Sequence, residues 1–151
     1  MPRLIILVGV SGSGKSLWVK EYSKEFNISV VCPDSIRREI CGDVSDQSKN
    51  ALVWRIAKGR VVDLLGAGKD VILDATNLKS KERRSLVENL PGCIKYAKVF
   101  NVEPEVAYDR VLDDVEKGVD RSRVSREVIL KQYENFIEDI DKLESDGFII
   151  F

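Results

Sequence analysis

The chain contains no histidine. That absence excludes a Ser-His-Asp triad, a His₂Glu zinc site and any histidine general base, so proton transfer, if needed, falls to a carboxylate. Cysteine is scarce. Cys32, Cys41 and Cys93 are odd in number and lack C-x-x-C spacing, which argues against a disulfide framework and a zinc site and leaves buried or inert thiols. Long apolar runs are missing as well, and no basic leader or small-residue cleavage site opens the chain, so a cytoplasmic protein with no membrane contact is expected. An excess of one charge is also absent: 24 Lys and Arg stand against 25 Asp and Glu. This removes the simplest signature of nucleic-acid binding, a strongly basic domain, and leaves that role to local clusters. No repeat or low-complexity tract interrupts the 151 residues, which suit one domain over 1–151 with a single core.

What is present is an alternation of apolar runs and helical patterns, the signature of a parallel sheet covered by helices on both faces. Strands are expected near 3–8, 28–32, 70–74, 94–101 and 147–151. Segment 46–67 reads as a helix whose core-facing stripe is Trp54, Ala57, Val61 and Leu65. Pro104 suits the first turn of a helix running to about Lys117, and Ser125 the N-cap of one ending near Glu144. Between those two helices, "GVDRSRV" (118–124) is polar and glycine-led, as a small mobile lid would be.

The strongest motif follows the first apolar run. "GVSGSGKS", Gly9 to Ser16, matches G-x-x-x-x-G-K-[ST] between an expected strand and an expected helix. Gly12 and Gly14 allow successive N–H groups to face one concavity, a nest for phosphate oxygens at the positive end of a helix. Lys15 adds a mobile, solvent-facing cation for the β- and γ-phosphates, and the Ser16 hydroxyl suits Mg²⁺. The nucleotide-binding set is therefore Gly9, Ser11, Gly12, Ser13, Gly14, Lys15, Ser16 and Leu17, with ATP as the expected nucleotide. The implied architecture is α/β, a P-loop NTPase or kinase fold with a five-stranded parallel sheet of order 2-3-1-4-5. The N-K-x-D guanine signature is absent, and the length speaks against the larger motor and AAA-type ATPases. A small phosphotransferase remains.

Acceptor chemistry should come from the carboxyl ends of the strands beside the switch point. Asp34 follows "VVCP" there, either as a general base or as the N-cap of "SIRREI". Arg37, three residues on, shares its face and offers a bidentate fork to a substrate phosphate or carboxylate. Arg38 reads as a solvated charge pointing elsewhere. In "VILDATNL", Asp74 occupies a place where a carboxylate holds a metal-bound water or orients Arg37, while Thr76 and Asn77 shape the next loop toward substrate. "KERR" opens the next helix, and Arg83 and Arg84 read either as exposed basic surface or as substrate contacts.

The order "GVSGSGKS", "D-S-I-R", "DATNL" with "KERR", an arginine-bearing lid and "VSREVILKQYENF" resembles the 5′-hydroxyl polynucleotide kinase domain of bacteriophage and bacterial nucleic-acid end-repair enzymes. The resemblance runs over nearly the whole chain. It implies that Lys15 and Ser16 bind ATP and Mg²⁺, that Asp34 is the general base, that Arg37 holds the acceptor's 3′-phosphate, and that Arg121 or Arg123 contacts the ATP phosphates. The implied partner is a 5′-hydroxyl end of DNA or RNA. One departure is local: Ala75 separates Asp74 from Thr76, where the familiar phage enzyme has its aspartate directly before the Thr-Asn pair. A small-molecule kinase of the same fold, acting on a sugar acid, antibiotic or nucleoside, uses the same Asp-x-x-Arg logic. A non-catalytic ATP-binding module is the reading from another class, and it has no need of Asp34.

Overall fold

The run Leu4-Ile5-Ile6-Leu7-Val8 shows no polar alternation, so a strand made from it must be covered on both faces. In the computed structural model, which describes residues 1–151, it forms β1 (Arg3–Val8) with all five apolar side chains withdrawn from solvent. β1 is the middle strand of a five-stranded sheet with β2 (Ser29–Val31), β3 (Val71–Leu73), β4 (Ile94–Val99) and β5 (Ile149–Ile150), ordered β2-β3-β1-β4-β5. Every pairing is parallel, and Ile5 sits opposite Ile72 on one side and Tyr96 on the other. This is the α/β fold and strand order that the sequence pattern predicts.

The two-residue period of β1 divides the core. Leu4, Ile6 and Val8 pack with Val53, Ala57, Val61 and Leu65 of α3 (Asn50–Gly66) and with Phe136 of α6 (Arg126–Asp139). Leu86 and Val87, at the end of α4 (Ser80–Val87), close the same face. Ile5 and Leu7 pack on the opposite face against Val19 of α1 (Lys15–Phe26), with Ile28 and Ile72. A third cluster, Val10, Ala107, Val111 and Ile129, docks α5 (Pro104–Glu116) and α6 beneath the loop that leaves β1. α2 (Pro33–Cys41) follows β2. No helix is long and apolar enough to cross a membrane.

Local signals place the later helices. α5 begins at Pro104, where the missing N–H costs nothing. Ser125 caps α6, its Oγ accepting from the Val128 N–H at 3.2 Å. α6 ends at Asp139, short of the expected Glu144, and a 3-10 turn over Ile140–Lys142 takes up the chain. The ladders of β2, β3 and β5 are shorter than their apolar runs; at β2 the chain leaves the sheet at Cys32, the N-cap of α2.

Two expectations are corrected here. Trp54 does not face the core: it is 42% exposed, and the buried stripe starts at Val53. Steps of three and four residues both satisfy the helical period, so Ala57, Val61 and Leu65 are compatible with either residue in the first turn. Arg83 is neither exposed surface nor substrate contact. It is 1% exposed, and its Nε donates to Asp146 at 3.0 Å, its Nη1 to the carbonyls of Asn77 and Leu78 at 3.0 and 2.8 Å, and its Nη2 to the Asp139 carbonyl at 2.6 Å. Asp146 also accepts from Ser80 Oγ at 2.6 Å. Only the neighbouring Arg84 is exposed.

This buried pair ties the start of α4 to the chain beyond α6. Breaking it by Arg83→Ala leaves Asp146 buried without its cation and is expected to cost about 3–5 kcal/mol, read as a lowered midpoint in urea unfolding. A midpoint within error of wild type would contradict the structural role.

Candidate active site

The loop leaving β1 is shaped by two glycines. Gly12 has φ 79°, and a Cβ there would lie 2.3 Å from the Ala107 carbonyl oxygen of α5. Gly14, at φ 98°, is the N-cap of α1. Neither conformation suits a side chain, and both aim the chain into a nest. The Ser11 N–H donates to Gln132 Oε1 of α6 at 2.8 Å and the Ser13 N–H to the Val10 carbonyl at 3.2 Å. The N–H groups of Gly12, Gly14, Lys15, Ser16 and Leu17 have no acceptor in the chain. Five free donors in the loop and the first turn of a twelve-residue helix make a cradle for an anionic oxygen cluster.

Lys15 departs from the solvent-facing position expected of it. It is 9% exposed and folds back over its own loop, Nζ donating to the carbonyls of Gly9 and Val10 at 2.9 and 2.5 Å and to Ser13 Oγ at 3.3 Å. Burial pushes its ammonium down from an ordinary 10.5 to about 8; Asp74 and Asp34 oppose that shift, and the charge of Arg121 adds to it. Asp74, just past β3, is raised by burial and by Asp34 and lowered by Lys15. Lys15 therefore feels the charges of Asp74, Asp34 and Arg121, which come from three other segments of the chain. Ser16 and Leu17 are exposed in the first turn of α1.

Asp34 is not the N-cap of α2; Cys32 is, and Asp34 lies in the first turn, where the helix dipole favours its charge. Its half-exposed carboxylate is ion-paired with Arg37 Nη1, one turn later, and Arg37 is itself only 6% exposed. The rest of the Arg37 fork, Nε and Nη2, donates to Asn50 Oδ1 at 3.2 and 3.0 Å. Asp34 and Asn50, not Asp74, orient Arg37.

Thr76 offers its carbonyl to the Gly9 N–H at 3.1 Å. Asn77 is a brace, not a substrate-facing group: it is buried at φ 47°, with Nδ2 donating to the Leu7 carbonyl at 2.8 Å and to Ala75 at 3.3 Å.

Segment 118–124 carries no helix or strand and is tethered at three points. Arg121 Nη1 pairs with Asp114 at 2.7 Å, the Arg123 N–H donates to Ser45 Oγ at 3.2 Å, and Arg38 Nε pairs with Asp120 at 2.8 Å. Arg38 is thus a link between α2 and the lid segment, not an unpaired surface charge. Sequence reasoning missed Gln132, and also Arg110, whose Nη1 lies 3.4 Å from the Gly12 carbonyl. Gln132 lies within "VSREVILKQYENF", but nothing in that stretch singles it out, and for Arg110 an outward arginine one turn along α5 from a residue packed under the loop is the only signal.

A family model with the description "AAA domain" matches residues 4–138. The chain belongs to the AAA domain family. The length-based expectation against AAA-type ATPases is corrected to that extent, although the match is to a single domain of this size. Comparison with curated proteins gave no match. Among solved structures, the AAA domain is similar to a chain of the Pnkp1/Rnl/Hen1 RNA repair complex, with TM-score 0.80 at 24% identity, covering 93% of this chain and 46% of that one. A chain in a further structure of the Pnkp1/Rnl/Hen1 complex gives 0.65 at 28% identity over 72% and 38%. A gluconokinase from Sinorhizobium meliloti gives 0.58 at 21% identity over 89% and 74%. The AAA domain spans less than half the length of the two complex chains it matches. Its fold is that of P-loop kinases, and that fold implies nucleotide binding.

The position of Lys15 sets a pH dependence. Between pH 8 and 10.5 the folded AAA domain has released the Lys15 proton that the unfolded chain still holds, so stability rises with pH across that window. Urea unfolding of wild type and Lys15→Met at pH 7, 8, 9 and 10 is expected to show a rise in the difference between them, with wild type gaining. A pH-independent difference would place the ammonium in water.

Proposed function

We propose that this chain is an ATP-dependent phosphotransferase that phosphorylates the 5′-hydroxyl end of DNA or RNA. The observation that carries the proposal is the half-exposed Asp34 carboxylate, pinned by a buried Arg37 and lying within electrostatic reach of Lys15. A nucleotide sensor has no use for a fixed carboxylate at that place. A kinase does, because the attacking hydroxyl must lose its proton to a nearby base.

In this reading the free N–H groups of the Gly12–Ser16 nest and the Lys15 ammonium hold the ATP phosphates. Their fit is the fit of donors to an anion, and Lys15 leaves neutral carbonyls for charged oxygens when it turns to them. Mg²⁺ would be held by the Ser16 hydroxyl and the Asp74 carboxylate, hard oxygen ligands suited to a hard cation. When bound, it neutralises charge on the phosphates. Asp34 accepts the proton of the acceptor hydroxyl. Arg37 binds the acceptor's 3′-phosphate by exchanging the neutral Asn50 oxygen for an anionic one, while its pair with Asp34 holds the base in place. Of the two lid arginines, Arg121 is assigned to the ATP phosphates, because its charge already acts on Lys15. The similarity to chains of an RNA repair complex supports the nucleic-acid acceptor.

The second reading, a small-molecule kinase acting on a sugar acid, antibiotic or nucleoside, draws on one observation. The Arg37 fork is already filled by Asp34 and Asn50, as suits an acceptor that brings no phosphate. The gluconokinase likeness is in keeping with it.

A labelled-ATP transfer assay separates the two. Wild type is expected to prefer a nucleoside 3′-phosphate or an oligonucleotide over unphosphorylated nucleosides and sugars. Asp34→Asn should lower kcat by roughly 10²-fold or more on every acceptor. Arg37→Ala should chiefly raise KM for 3′-phosphorylated acceptors, by about 1.5–3 kcal/mol. Equal rates on unphosphorylated acceptors would transfer the assignment to the small-molecule reading.

Arg121→Ala should lower kcat and weaken ATP binding, whereas Arg123→Ala should do neither. The reverse order, read by the same assay with ATP varied, would exchange their roles.

A further inference from the structure

Between α3 and α4 lies a cavity of about 550 Å³ that the proposed chemistry does not use. That is room enough for a nucleoside-sized group. Its floor includes Leu73, the residue before Asp74, so it opens directly beside the carboxyl edge of the sheet. Trp54 stands on one wall, 42% exposed, although the core-facing stripe of α3 is complete without it. Lys58, Lys79 and Lys81 surround the cavity, with Glu82 the one carboxylate among its lining. In a chain of net charge −1, three lysines beside an exposed indole are a local departure. Lys58 spends one proton on the Ser85 carbonyl at 2.8 Å and keeps two.

The path to the proposed acceptor site is written along one helix. Asn50, which holds the Arg37 fork, is followed by Trp54 and Lys58 at steps of four residues, so all three lie along one flank of α3. A strand whose first phosphate sits at Arg37 is led from there toward Trp54 and then among the lysines. Aromatic faces stack on any base and lysines track a backbone, the two elements of single-strand recognition without sequence preference.

We infer that the groove between α3 and α4 is the track for the nucleotides that follow the reacting 5′ end, with Trp54 stacking on a base and Lys58, Lys79 and Lys81 neutralising phosphates. The inference rests on the proposed kinase reading and specifies a single-stranded acceptor longer than one nucleotide.

The test uses the full chain in a Trp18→Phe background, which leaves Trp54 as the only indole. An eight-residue 5′-hydroxyl oligothymidylate is expected to quench its fluorescence, whereas a thymidine 3′-phosphate and a blunt duplex of equal length are not. Trp54→Ala should weaken oligonucleotide binding about tenfold, measured by anisotropy of a 3′-labelled strand, and Trp54→Phe should restore most of the loss. Each of Lys58→Ala, Lys79→Ala and Lys81→Ala should lower the slope of log K against log salt by about 0.7. In the transfer assay, Trp54→Ala should raise KM for the octamer about tenfold and kcat should change far less. Quenching without phosphorylation would support the track and sink the kinase reading. Phosphorylation with octamer KM and salt slope unchanged in all four variants would sustain the kinase and overturn the track, as would absent quenching or equal quenching by the duplex. Should Trp54→Ala fail to fold, the lysine slopes decide the matter alone.

Discussion

A lysine ammonium is kept out of water at the mouth of the sheet, and much of the site is arranged around that fact. Lys15 is held by carbonyls of its own loop, which are dipoles and not counter-ions, while Asp74 and Asp34 supply negative charge from neighbouring strand ends. Such a cation is only partly compensated, and burial accordingly lowers its pKa. An incoming polyanion meets that deficit together with five unpaired N–H groups. Stability is given up locally so that binding has something to satisfy, the usual relation between a strained site and its ligand.

The contrast between two arginines shows how placement decides role. Arg83 and Arg37 are both nearly inaccessible, and both carry their charge against an aspartate. Arg83 spends its fork on Asp146 and three backbone carbonyls and is wholly buried, out of a ligand's reach. Arg37 faces a half-exposed carboxylate and a neutral side-chain amide that an anion can displace. One is a cross-brace between α4 and the end of the chain. The other is poised for exchange, and the proposed acceptor site depends on that difference.

The proposed acceptor track continues the same logic along α3. Asn50 at its first turn belongs to the Arg37 network, its buried stripe from Val53 to Leu65 belongs to the core, and Trp54 with Lys58 on the adjoining flank belongs to neither. One helix thus links the sheet, the fork and the groove, and a shift of α3 would be felt by all three.

Some of this was determined by the sequence alone. An apolar run without alternation has to be a covered strand, G-x-x-x-x-G-K-S after it has to turn through left-handed glycines, and Asp34 and Arg37 one helical turn apart have to meet. These are short-range constraints, set by backbone sterics and helix geometry. What the tertiary structure decided is which groups are desolvated and which partners fill them. Lys15 turned inward, Asn50 took the place given to Asp74, Asn77 became a brace, and Arg83 was buried in a network closed by Asp146, 63 residues away. Trp54 and Val53 differ by one helical step of about 100°. Both fit the same spacing, and only packing against β1 determined which of them entered the core. Burial and long-range pairing depend on residues far apart in the chain, so no local pattern could have settled them.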